Sequence, residues 1–215
     1  MIIGFAHLTV AASDANAEVA KWIAAGWEPN ETFEGIASAE EKLPLLHGQA
    51  RRHDLVLLRG KPTVEIVAHD TGVCPGQGPY RLAANGVIGA LARNVEKEAE
   101  FYCRGLGFVL VDLEETTNAA RRLELRSRFP NWCVSLELEN DPAAPIDPPL
   151  DCAGFPCLAF YSTDLAGDLD RLLSCGGRDP TNRFELILGN RRVSVHMLRS
   201  PQGAIIELAK IQRYE

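Results

Sequence analysis

Three glutamates lie in the same kind of setting along this 215-residue chain: Glu65 in PTVEIVA (Pro62–Ala68), Glu137 in VSLELEN (Val134–Asn140) and Glu207 in SPQGAIIELAK (Ser200–Lys210). They are 72 and 70 residues apart. In the last phrase Ser200-Pro201-Gln202-Gly203 reads as a tight turn, and β-branched Ile205 and Ile206 open a strand. Alternate strand residues face opposite ways, so Glu207 shares a face with Ile205 and Ala209 while Ile206 and Leu208 take the other. A carboxylate lined by apolar residues requires a charged partner, a metal ion or a raised pKa. The spacing makes the three glutamates equivalent positions of an internal repeat.

The elements that must position them follow from pattern and punctuation. In the first copy Phe5–Ala11 reads as a strand, with His7 and Thr9 on one face and Leu8 and Val10 on the other. Asp14 caps a helix that Gly26 ends, and Trp27–Phe33 starts a second strand. Glu34–Arg52 is polar and reads as a long loop, of the kind that serves as a lid or binding loop. His53–Leu58 and Thr63–Ala68 form a hairpin. After a linker over Asp70–Asn85, the second copy runs through strand Val87–Arg93, helix Val95–Leu106 stopped at Gly107, and strands Phe108–Leu113, Arg121–Ser127 and Cys133–Glu139, with Phe129-Pro130-Asn131 as a turn. A second linker, Asp141–Asp151, is proline-rich and expected to be extended. The third copy has strand Cys157–Ser162, N-cap Asp164, helix Leu165–Cys175, and strands Arg183–Leu188, Arg192–Arg199 and Ala204–Lys210. The domain boundaries read as 1–72, 84–140 and 152–215. Four strands with one helix leave a sheet face uncovered, so such a unit must pair with another and enclose a cleft. Three is an odd number, which leaves one unit to pair across a homodimer or to pack in some other way.

Composition narrows the functions. A net charge of −7 and a pI near 5.3 supply no basic stripe for nucleic acid. The start MIIGFAHLTV lacks the basic and long apolar regions of an export signal, and no run approaches the ~20 apolar residues of a membrane span. The six cysteines form no zinc-type CxxC pair, and reduced thiols in a cytoplasm are expected. Gly72–Gly78 lacks the Lys-Ser/Thr pair of a phosphate loop, and no GxSxG elbow is present.

Three phrases carry a family resemblance. EFYCRGLGF (Glu100–Phe108), SPQGAIIEL (Ser200–Leu208) and FAHLTVAASD (Phe5–Asp14) resemble the helix-end, closing-strand and opening-strand phrases of the vicinal oxygen chelate superfamily, which includes glyoxalase I, extradiol dioxygenases and bleomycin-resistance proteins. The resemblance implies an α+β fold of three βαβββ modules, paired to form curved mixed sheets enclosing a cleft. In metal-binding members each module supplies a His in its first strand and a Glu in its last. Carried over to this chain, the first module has both, His7 and Glu65; the second has Glu137 but Val87 at the His position; the third has Glu207 but Cys157 there. If the first and second modules pair, the implied metal ligands are His7, Glu65 and Glu137. If the second and third pair, the first meets its copy in a homodimer, and two His7 and two Glu65 complete the site by symmetry. The second scheme accounts for a complete His–Glu pair in one module alone.

The implied cofactor is a divalent metal ion (Zn, Ni, Fe, Mn or Co), held by nitrogen and oxygen donors that polarise a substrate oxygen. Glu65 and His53 are the candidate catalytic groups, and His196 sits on the corresponding strand of the third module. Cys157 reads as a small buried thiol and Glu207 as an inherited remnant. His47, Arg51 and Arg52 stand in or beside the long loop, where they could receive an anionic substrate. The expected function is a glyoxalase/dioxygenase-like, metal-dependent enzyme acting on a small molecule with vicinal oxygens, of isomerase, lyase or dioxygenase type. The alternative is a metal-free binding or sequestering protein resembling the bleomycin-resistance branch.

Overall fold

The computed structural model describes residues 1–111, 120–126 and 133–213. The expected turn Phe129-Pro130-Asn131 and the ends of the strands expected over Phe108–Leu113 and Arg121–Ser127 lie outside them.

The order strand–helix–three strands recurs three times. The first unit holds β1 (Ile2–Ala12), α1 (Ala15–Ala24), β2 (Glu28–Ala37), β3 (Arg52–Arg59) and β4 (Val64–His69). Two short strands follow, β5 (Cys74–Gln77) and β6 (Tyr80–Leu82). The second unit holds β7 (Ile88–Ala92), α2 (Val95–Glu100), β8 (Val109–Val111), β9 (Ala120–Arg126) and β10 (Cys133–Asn140). The third holds β11 (Cys152–Ser162), α3 (Leu165–Ser174), β12 (Phe184–Leu188), β13 (Arg191–Arg199) and β14 (Ile205–Arg213). The fold class is α+β.

Each helix starts where a short polar side chain can accept an orphan backbone N–H. Asp14 Oδ1 accepts from Ala17 N at 3.0 Å, Asn94 Oδ1 from Lys97 N at 2.9 Å and Asp164 Oδ1 from Gly167 N at 3.2 Å. Each cap contributes about 1 kcal/mol. Beyond α2 the chain widens into a π-helical turn over Phe101–Leu106, and Gly107 ends it at φ 83°, a left-handed conformation that favours glycine.

In every unit the first strand runs parallel beside the last. Thr9 stands opposite Glu65, Gly89 opposite Glu137 and Ala159 opposite Glu207. The three glutamates share one register, and His7, Val87 and Cys157 stand two residues before the residue each glutamate faces.

The units join differently from either sequence scheme. β1 lies antiparallel beside β11, with Leu8 opposite Leu158. This makes an eight-stranded sheet in the order β2-β3-β4-β1-β11-β14-β13-β12 from the first and third units. The reason lies in strand length and free edges. β1 and β11 are 11 residues long and largely buried, whereas β7 has five residues. The stretch read as a plain linker also supplies β6, which takes the edge of β7 with Tyr80 opposite Ala90 and touches β11 at Phe155.

The second unit is held by its helix side. Ile88, Leu123, Leu136, Phe101 and Tyr102 share a core with Phe5, Leu8, Phe160 and Leu208 and with Leu165 and Leu172 of α3. Phe5 and Phe160 meet edge to face at 5.6 Å, and the buried Tyr80 and Tyr102 hydroxyls hydrogen-bond at 2.6 Å. Burying a side chain of this size contributes about 1.5–3 kcal/mol. The other face of the second unit carries half-exposed ion pairs, Arg81 with Glu139 and Arg122 with Glu137. That face is charged.

Candidate functional site

A bulge between Phe5 and His7 sets the site. It lets Phe5 and Leu8 enter the helix-side core while His7 turns to the opposite, concave face of the eight-stranded sheet. There His7 of β1 and Glu65 of β4 meet Glu207 of β14 around a cavity of about 50 Å³. Leu57, Leu186, Leu188 and Val193 form its apolar walls, with Tyr161 and Arg191 beside the acidic groups. Cys157, in the position equivalent to His7, is fully buried in the same concave core.

His7 Nε2 lies 3.1 Å from Glu65 Oε2, without the alignment of a hydrogen bond. Thr9 Oγ1 donates to the same carboxylate oxygen at 3.4 Å. Burial disfavours a charged His7, but the Glu65 charge overrides it and raises the imidazole above its ordinary value. Burial likewise works to raise Glu65, and His7, then Lys42 and His53, bring it below the usual carboxylate value. Glu207 has no such close partner: burial pushes it up to about 7, with Glu65 adding repulsion and with His7 and Lys42 opposing. Two carboxylates on one cavity are thus driven in opposite directions, one held ionised and one holding its proton near neutrality. Burial, then Glu207 and Glu65, raise the Cys157 thiol well above its ordinary value.

The concave face is filled by the segment read from sequence as a lid or binding loop. It begins at the end of β2 and passes through a 3₁₀ turn over Glu40–Leu45. Leu45, Leu46 and Ala50 pack with Cys157, Val195, Met197 and Ile205. Ser38 N donates to Arg51 O at 2.9 Å, closing the base of the loop. Asp151 clamps its middle, accepting from His47 N at 2.8 Å and Gly48 N at 3.2 Å, and Leu150 N donates to Leu45 O at 2.7 Å. The turn carries Lys42 inside, where it is 6% exposed. Burial lowers the Lys42 pKa, and Glu65, Glu207, Cys157 and Asp151 oppose that lowering.

His7 and Glu65 are therefore brought together, and with Glu207 rather than with Glu137. Glu137 lies on β10 in the second unit, 3.9 Å from Arg122 and partly exposed; because the first unit joins the third, it is kept away from His7. His53 is 2% exposed, with Ser38 Oγ 3.5 Å from its Nδ1. Burial, Lys42 and His69 lower its pKa to about 3, which leaves it a poor proton acceptor near neutrality. His69 stands opposite it on β4. Among the described residues neither ring nitrogen of His69 has a hydrogen-bond partner, and burial and then Lys42 lower it to about 4. His196 Nδ1 lies 3.1 Å from Thr181 O, away from the cavity. Sequence reasoning missed Lys42 and Asp151. The apolar residues Leu43, Leu45 and Leu46 around Lys42 were the available signal that this loop turns inward.

The donor set was tested against the divalent ion that the resemblance implies. Among the described residues no group of three or more His, Cys, Asp or Glu side chains is placed to hold a metal ion. The third-unit counterpart of His7 is a fully buried thiol rather than an imidazole. These residues do not fit a resident divalent ion.

No protein-family model and no curated protein matches the chain. Among solved structures it is similar to glyoxalase I from Zea mays, at 13% identity and a TM-score of 0.42, over 96% of this chain and 67% of that one. It is also similar to a glyoxalase family protein from Enterococcus faecalis, at 20% identity and a TM-score of 0.43, over 57% of this chain and 94% of that one. An integron cassette protein from V. cholerae matches at 15% identity and a TM-score of 0.40, over 57% of this chain and 90% of that one.

Proposed function

We propose that the chain binds a small oxygenated molecule where its first and third units meet and moves a proton on it, without a resident metal ion. The observation that carries this is the pairing of Glu65 and Glu207 on one apolar-walled cavity with His7 beside them. Glu207 is the proton-transfer group, because burial puts its pKa at about 7. The His7–Glu65 pair supplies a fixed positive edge beside a negative one, suited to orienting a carbonyl or hydroxyl group. The chemistry is of isomerase or lyase type, proton abstraction next to a carbonyl.

A second reading, metal-free sequestration, is favoured by the cavity itself. At about 50 Å³ it holds far less than a typical ligand pocket of roughly 300 Å³ or more.

Deuterium wash-in separates the two. Small ketones, hydroxyketones and 2-oxoacids are incubated with the protein in heavy water and followed by NMR. Proton transfer requires catalysed C–H exchange with at least one compound, reduced on the order of 10²-fold in Glu207→Gln. Thermal stabilisation by a compound with no exchange in any compound would replace this reading by sequestration.

A further inference from the structure

A second cavity, of about 690 Å³, shares no lining residue with the one around His7, Glu65 and Glu207. It lies between the 3₁₀ turn over Glu40–Leu45 and the stretch from Asp179 to Asn182 that leads into β12. Arg199, the last residue of β13, lines it too and is 7% exposed. A charged side chain is thus almost wholly buried against a space large enough for a small molecule.

A buried cation is costly unless its donors are taken up and its charge is balanced. Arg199 meets this in part. Its Nη1 donates to Pro148 O at 2.9 Å and to Gly203 O at 2.8 Å, which uses both Nη1 hydrogens and ties the second linker to the turn after β13. Among the described residues, Nε and Nη2 make no hydrogen bond and the guanidinium stands in no ion pair. Asp147 and Asp179, whose charges reach it, pair with Arg178 instead. The edge left over, Nε–H beside Nη2–H, is the fork that meets a carboxylate through two parallel hydrogen bonds. The other charged groups of the lining are acidic: Glu40, Glu41 and Asp179. Asp179 lies 2.6 Å from Arg178, whereas Glu40 and Glu41 stand in no described ion pair. Those two carboxylates repel a polyanion such as phosphate and attract a ligand that carries an ammonium group besides its carboxylate.

We propose that this cavity is a binding site for a free amino acid, whose carboxylate is held by the Nε–Nη2 edge of Arg199 and whose ammonium faces Glu40 and Glu41. The site is independent of proton transfer at Glu207, because the two cavities have no lining residue in common.

Calorimetry of the protein with the common L-amino acids, each taken to about 10 mM, tests the assignment. At least one should bind at one per chain. Its N-acetyl derivative and its decarboxylated amine should each bind at least tenfold more weakly. Glu40→Gln/Glu41→Gln should bring the affinity for the amino acid down to that of the N-acetyl derivative. Arg199→Lys keeps the charge but loses the fork, and should bring the affinity down to that of the decarboxylated amine. Binding of none of the amino acids would overturn the assignment, as would inorganic phosphate bound more tightly than all of them, or an affinity unchanged in either variant. If Arg199→Lys does not fold, the arginine Nε–H resonances of the wild type take its place. One of them must shift when the amino acid saturates the protein, and no shift refutes the guanidinium contact.

Discussion

At the scale of single residues, burial turns side chains of ordinary type into a coupled set. Glu207 holds its proton to about 7 in the folded protein, against an ordinary carboxyl value of 4.5. Between those values the folded state binds more protons than the unfolded one, so this group makes stability fall as pH rises through the window. Glu98 behaves likewise: burial raises it to about 7 while its carboxylate accepts from Gln202 N. Glu207→Gln should therefore flatten, though not abolish, the decline of melting temperature between about pH 5 and 7, with Glu98 supplying the remainder. His53 and His69 act with the opposite sign. They stay neutral in the fold down to about 3 and 4, while the unfolded chain takes up protons below 6.5. Their contribution is lost as pH falls, so His69→Gln should make the acid limb of urea midpoint against pH shallower. A variant with the wild-type slope would show that these groups titrate alike in both states.

At the scale of elements, the caps and the glutamate register were legible because they depend on local chemistry. Asp14 and Asp164 precede apolar helical patterns, and the Glu65, Glu137 and Glu207 strands share composition and spacing. The equivalence of Cys157 to His7 was legible only through the family resemblance. Segment 34–52 was read as a loop, because a lysine in a polar stretch ordinarily points to solvent; only Leu43, Leu45 and Leu46 beside Lys42 mark the inward turn. β5 and β6 were hidden in Gly- and Pro-rich sequence, since they are strands only because β7 and β11 offer edges. The clamp on the loop is likewise a long-range contact, more than 100 residues apart in the chain. It gives a direct prediction. Asp151→Ala removes both carboxylate acceptors of the His47 and Gly48 amides. Hydrogen exchange at those two amides should accelerate at least tenfold, with β1 and β11 unchanged. Equal acceleration everywhere would mean global destabilisation rather than a released loop.

At the scale of the whole molecule, the choice of partners among units decides the chemistry. A long buried strand with a free edge can pair with another of its kind, and β1 and β11 meet that condition while β7 does not. The sequence could not rank the pairings because edge availability depends on where the linkers fold. The eight-stranded sheet then curls until its far edges approach. Glu31 of β2 pairs with Arg191 of β13, and the Phe33 ring lies where a side chain at Gly189, in the turn between β12 and β13, would meet it. Arg191 also lines the cavity, and the loop bearing Lys42 packs over the core beside it. Cys157 reports on both, being fully buried in the core beneath them. Arg191→Ala opens the seam without touching His7, Glu65 or Glu207. Methylthiolation of Cys157, located by peptide mass spectrometry, should proceed several-fold faster in Arg191→Ala than in wild type, and faster still when Asp151→Ala is added. If the seam variant leaves the Cys157 rate unchanged while Asp151→Ala alone raises it, the loop is the sole entrance. If neither changes it, the cavity is reached by a route that passes neither seam nor loop, and the enclosed site proposed for proton transfer fails.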